Sequence, residues 1–183
     1  MTDTPPDIEA TGSRIVYENR WMRVREDAVR RRDGSAGIYG VIEKTDFVLV
    51  VPVHEDGAVE LVQQYRYPVG ERLWEFPMGI WGPPGTDPLL AAQHELAEET
   101  GLIAATLLHV GRLYEAPGTM KQAAHIVLAR GLTRGPARPE IEEQDLISRR
   151  IPRAEFERMV RDGEIRDAIS VAAWGLLLMK GLV

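Results

Sequence analysis

Asp87-Pro88 at one end and Thr100-Gly101 at the other mark the stretch between them as a helix. Asp is a good N-cap. Pro suits the first helical position, where its missing N–H has no partner to lose, and Gly suits the position that closes a helix. Inside this bracket Leu89, Ala92 and Leu96 recur at spacings of three and four, giving an apolar stripe to bury. Glu95, Glu98 and Glu99 stand beside the stripe at i, i+3 and i+4, so all three are read onto one face. Like charges at that spacing repel, and no Lys or Arg lies between Pro88 and Gly101 to relieve them. An isolated acidic triplet of this kind is an ordinary solvated helix face. It becomes a site when a hard divalent cation such as Mg²⁺ takes oxygen ligands from it, and a cation so held can also clamp a diphosphate.

The chain of 183 residues is long enough for one domain with a sizeable core and a small appendage. A net charge of -6 argues against a general nucleic-acid or anionic-membrane binder. The basic run Arg30-Arg31-Arg32, just before Asp33-Gly34, reads as a solvated turn. The sequence has no cysteine, which excludes disulfides, thiolate catalysis and Cys-type zinc sites and fits a cytoplasmic protein. Residues 1–12 carry no signal-peptide pattern, and the apolar stretch Ala168 to Met179 is too short to span a bilayer.

Residues 1–12 read as a disordered tail. Residues 13–44 follow as a small antiparallel β subdomain, with strands at Arg14 to Glu18, Trp21 to Arg31 and Ile38 to Glu43. Residues 45–183 hold the main domain. Phe47 to Val53 is a continuous apolar run, the pattern of a central strand, and Asp56-Gly57 turns it into Val59 to Tyr67. Trp74 to Phe76 is a short strand, and Gly79 to Asp87 reads as a loop. After the acidic helix come strands near Leu107 to Tyr114 and Gln122 to Ala129, then a long connection from Gly131 to Gln144. Pro152 to Arg161 and Asp167 to Lys180 read as helices.

The run Leu73-Trp-Glu-Phe-Pro-Met-Gly79, then Pro84-Gly85-Thr86-Asp87-Pro88, then Glu95-Leu-x-Glu-Glu-x-Gly-Leu102 closely resembles the Nudix box. Gln64-Tyr65-Arg66-Tyr67-Pro68 and Gly163-Glu164-Ile165-x-Asp167-Ala168 extend the likeness over most of the chain. The chain looks like the ADP-ribose pyrophosphatase branch of the Nudix hydrolases. The resemblance implies an α/β/α sandwich with a mixed central sheet and a box helix carrying Mg²⁺, or alternatively Mn²⁺. It implies Glu95 and Glu99 as metal ligands, Glu98 as a ligand or nearby acid, and the backbone carbonyl of Met78 beside them. The expected activity is cleavage of ADP-ribose or a related nucleoside diphosphate sugar into two monophosphates. The branch commonly draws its general base from a loop before the penultimate helix, which points to Glu142, with Glu143 second. Arg66 matches a position that commonly pairs with phosphate. Trp21 and Tyr39 resemble positions whose rings sandwich the adenine base across a dimer, and otherwise read as core packing. A strand pair unstable alone is a further reason to expect a swapped homodimer.

Four residues depart from the family pattern. Thr86 stands in place of the first box Glu and His94 in place of an Arg, while Gln122 and Gln144 stand where carboxylates often occur. Fewer negative ligands mean weaker metal binding or fewer ions. These departures keep two alternatives in view: a Nudix module that senses ADP-ribose or a nucleotide without cleaving it, and a Nudix hydrolase of another substrate class.

Overall fold

The computed structural model describes residues 6–80, 82, 86–135 and 146–183. Among these, eleven strands and three helices follow in the order β1 (Ile8–Glu18), β2 (Arg23–Arg31), β3 (Ala36–Glu43), β4 (Phe47–Pro52), β5 (Val59–Arg66), β6 (Glu71–Glu75), β7 (Met78–Ile80), α1 (Pro88–Thr100), β8 (Leu102–Tyr114), β9 (Met120–Lys121), β10 (Ala123–Arg134), β11 (Ile147–Ile151), α2 (Arg153–Arg161) and α3 (Ala168–Met179). The chain divides into two units, residues 1–45 with 114–123, and residues 46–113 with 124–183.

The smaller unit is a four-stranded sheet in the order β1-β2-β3-β9. Its β2–β3 turn follows from Asp33-Gly34: the Asp33 carboxylate accepts the Ser35 N–H at 2.9 Å, and Gly34 takes a φ of 84°. Two readings are corrected here. Ile8 to Gly12 is not a tail but the start of β1, because its backbone pairs in register with Ala28 to Arg31 of β2. The unit also recruits residues 114–123, since β9 pairs in parallel with the end of β3 and the Ile42 N–H donates to the Thr119 carbonyl at 2.9 Å. Such a long-range pairing leaves no local mark in sequence.

The larger unit holds two sheets, β7-β4-β10-β8 and β11-β5-β6. β4 runs parallel to β10 and antiparallel to β7, so the first sheet is mixed. β4 is buried along its whole length because both its faces are covered. Val48 and Val50 pack with Ala92 and Leu96 of α1, while Phe47, Leu49 and Val51 join the opposite core with Phe76, Phe156 of α2 and Trp174 of α3. The rings of Phe76 and Phe156 lie 5.4 Å apart, and those of Phe156 and Trp174 4.9 Å apart, edge to face. Two further boundaries shift from the sequence reading. Met78–Ile80 is a strand against Phe47–Leu49 rather than the opening of a loop, and β10 carries on through Arg134. No helix among the described residues is long and apolar enough to cross a membrane.

Candidate active site

The bracket around α1 closes as its residues dictate. The Asp87 carboxylate accepts the Leu89 N–H at 2.9 Å, and Gly101, at a φ of 67°, donates its N–H to the Ala97 carbonyl. The apolar stripe is seated on β4 and β10 through Ala92 and Leu96. This seating fixes where the acidic side chains go.

Glu95 and Glu99, one turn apart, both reach β7. Glu99 is only 5% exposed, and its carboxylate accepts the Met78 N–H at 3.2 Å. The Glu95 carboxylate lies directly over Gly79, where an added Cβ would stand 2.1 Å from Glu95 Cδ. Only a glycine leaves room for that approach. Glu98 takes another direction. It lies about 100° around the helix from Glu99, and its carboxylate meets His94 Nδ1 at 2.8 Å, with His94 mostly in solvent. The reading of three carboxylates on one face is therefore refined to two that converge on Met78-Gly79 and one that pairs with His94 at the rim.

Arg66, at the end of β5, lies against Glu75 at the end of β6. Its Nε donates to both carboxylate oxygens, at 2.9 and 3.2 Å, and its Nη2 donates at 2.9 Å. Glu75 is 1% exposed, and burial pushes its carboxyl above the usual carboxylate range while the Arg66 bonds pull the other way. Sequence reasoning missed Glu75. The available signal was a charged residue between Trp74 and Phe76 in an otherwise apolar strand end. In the smaller unit, Trp21 and Tyr39 are exposed rather than core residues. The Arg20 guanidinium stacks 4.0 Å from the Trp21 ring centroid, and the Tyr39 hydroxyl donates to the Gly118 carbonyl at 2.7 Å. Gln122 is buried and donates from Nε2 to the Thr45 carbonyl at 2.6 Å, a bond that a carboxylate could not make. Glu142, Glu143 and Gln144 lie outside the described residues.

Residues 44–169 match the model of the NUDIX domain, and residues 8–42 match that of the nucleoside diphosphate sugar hydrolase N-terminal domain. The chain belongs to the Nudix hydrolase family. Among curated relatives of this Nudix hydrolase, an ADP-ribose pyrophosphatase of Mycobacterium tuberculosis is 36% identical over 168 residues, which is 91% of this chain and 81% of that one. An ADP-ribose pyrophosphatase of Bacillus subtilis is 25% identical over 166 residues, covering 90% and 89%. In fold, the chain superposes on a crystal structure of an ADP compounds hydrolase with a TM-score of 0.84, at 24% identity and full coverage of both chains. The expected α/β Nudix fold with an added N-terminal β unit is the fold observed.

Nudix hydrolases work with a divalent cation. Among the described residues, no group of three or more His, Cys, Asp or Glu side chains gathers as a metal cluster. The two carboxylates that meet at Met78-Gly79 nevertheless suit a hard cation. Mg²⁺ is ordinarily held by one or two carboxylates, with substrate phosphates and water completing its shell. The donor set of this Nudix domain fits that pattern.

Proposed function

We propose that this Nudix hydrolase splits the diphosphate linkage of ADP-ribose or a related nucleoside diphosphate sugar into two monophosphates. The convergence of Glu95 and Glu99 on β7 carries this reading, and the likeness to two ADP-ribose pyrophosphatases over nine-tenths of the chain supports the substrate class. Glu95, Glu99, the Met78 carbonyl and, from the rim, Glu98 would hold Mg²⁺, with Mn²⁺ as a substitute. When bound, that ion neutralises phosphate charge and makes phosphorus more electrophilic. Arg66 uses two of its nitrogens on Glu75, which leaves Nη1 as a donor for a diphosphate oxygen. Glu142, with Glu143 second, is proposed as the base. It takes a proton from water as the water oxygen bonds to phosphorus, the bridging P–O bond breaks, and the second monophosphate leaves. Trp21 and Tyr39 are proposed to stack the base, and exposed apolar residues of β1 and β3 such as Ile15, Tyr17 and Ile38 support a homodimer as the working form. A cytoplasmic location is proposed on the cysteine-free composition.

One observation favours a second reading. His94 engages the Glu98 carboxylate, and a Glu98 so occupied suits a module that binds ADP-ribose without cleaving it. The test is incubation of purified protein with Mg²⁺ or Mn²⁺ and ADP-ribose, GDP-mannose and similar compounds, with monophosphates read by chromatography. Turnover is expected, and Glu98→Gln is expected to lose about 10²- to 10³-fold in kcat, the scale of a lost transition-state electrostatic contact. Glu142→Gln is expected to lose at least as much. Tight binding with unchanged ligand would replace the enzyme reading with the sensor reading, and wild-type rates in Glu98→Gln would mean the site is misassigned.

A further inference from the structure

Arg66 does not pair with the residue opposite it. The β5–β6 register sets Arg66 against Glu71, Gln64 against Leu73 and Val62 against Glu75. On an antiparallel ladder these positions share one face, so the Arg66 guanidinium reaches two pairs along the sheet, past Gln64, to bond Glu75. Glu71, its register partner, pairs instead with Arg166. The displacement has a direction. Glu75 is the last residue of β6, and three residues later the chain reaches Met78, where Glu99 and Glu95 meet β7. Glu75 therefore draws the guanidinium away from the Arg66–Glu71 end of the hairpin and to the end of β6 from which the chain runs on into β7.

The strand end that carries Glu75 is itself anchored. The Phe76 N–H donates to Ser170 Oγ at 2.9 Å, Ser170 is fully buried, and its own N–H is capped by the Asp167 carboxylate at 2.9 Å. A buried carboxylate with fork-on-fork geometry to a guanidinium is a rigid mount, because a planar Arg held through Nε and Nη2 keeps few rotamers. Nη1 then points from a fixed plane rather than from a mobile surface arm.

We propose that Glu75 is the positioning residue that holds Arg66 for the diphosphate of the substrate. This rests on the nucleoside diphosphate reading above and assigns Glu75 a role that acts only through Arg66. The test is a double-mutant cycle of Glu75→Gln and Arg66→Ala in the full chain, reading kcat and KM for ADP-ribose with Mg²⁺, and ADP-ribose binding by calorimetry in EDTA. Glu75→Gln alone is expected to lower kcat/KM about 10- to 100-fold and to weaken binding in the absence of metal, with a melting temperature close to wild type. In the Arg66→Ala background the same change is expected to alter either quantity less than about twofold, since the group it positions is gone. Equal losses in both backgrounds, or wild-type kcat/KM in Glu75→Gln, would overturn the proposal. Should Glu75→Gln not fold, Glu75→Asp carries the same cycle, because it keeps the charge and withdraws the carboxylate by one methylene. Turnover by wild type with additive variants would overturn this inference alone. Absence of both turnover and binding in wild type would overturn the substrate reading, and this inference with it.

Discussion

Gly79→Ala is the substitution for which the structure gives the sharpest quantity. A Cβ there would lie 2.1 Å from both Cδ and Oε2 of Glu95 and 2.3 Å from Oε1. Ordinary contact requires 3.4–4 Å, so the carboxylate must retreat by about 1 Å or more. Gly79 is not among the left-handed glycines, so alanine brings no backbone strain. The clash falls on the far end of a flexible side chain, which can swing aside at small cost to folding. The cost falls instead on the placement of the carboxylate proposed to hold the metal, where a displacement of ~1 Å is worth about 10²-fold, or about 2.7 kcal/mol of transition-state stabilisation. The expected result is a kcat/KM for ADP-ribose lower by about 10²-fold and a higher Mg²⁺ requirement, with a melting temperature within ~2 °C of wild type. Steady-state kinetics over a Mg²⁺ titration reads the first two, and calorimetry the third. In a Glu95→Ala background, the alanine at 79 should cost nothing further. A Gly79→Ala enzyme with wild-type kcat/KM and metal dependence would refute the placement of Glu95 over β7 as the functional geometry.

Three other outcomes are expected. Glu99→Ala leaves the Met78 N–H without its acceptor, at about 2 kcal/mol and so ~4–8 °C in melting temperature, whereas Glu99→Gln keeps an acceptor and should lose activity with little loss of stability. Mg²⁺ at about 100 times its Kd should stabilise wild type by ~2.7 kcal/mol in thermal unfolding; an equal shift in Glu95→Gln/Glu99→Gln would place the ion elsewhere. Burial holds the His125 imidazole below its ordinary 6.5, against the pull of Asp46. The unfolded chain then binds the proton more readily, so stability present above pH 6.5 is lost as pH falls through the folded value. A melting temperature that falls below that pH in wild type and falls less in His125→Gln would bear this out, and identical profiles would not.

What the sequence revealed was local chemistry. Asp87, Pro88 and Gly101 each act within a few residues of themselves, and the helix they bound is observed between Pro88 and Thr100. Val48 to Val51 announced a strand covered on both faces because every position in it is apolar. The features that escaped are those in which one partner is distant. β7 is three residues long and exists through its pairing with Phe47–Leu49. The first residues of β1, Ile8 to Gly12, are exposed throughout and become a strand only by pairing with β2. Gln122, read as standing where a carboxylate often occurs, also serves as a buried donor to Thr45, a bond no local pattern announces.

The acidic motif shows the same division at the scale of single side chains. Spacing alone places Glu95, Glu98 and Glu99 on adjoining parts of one helix and cannot rank them. Their separation appears once β7 is set against the helix: Glu99 is committed to the Met78 N–H, and Glu95 is admitted only where Gly79 lacks a side chain. Glu98 is left to His94, the residue that the sequence reading sets in place of an Arg. An Arg there would bring a permanent charge to Glu98, whereas an exposed histidine brings one only when protonated. The helix thus supplies three equivalent carboxylates, and the three-residue strand beside it draws two of them onto Met78-Gly79.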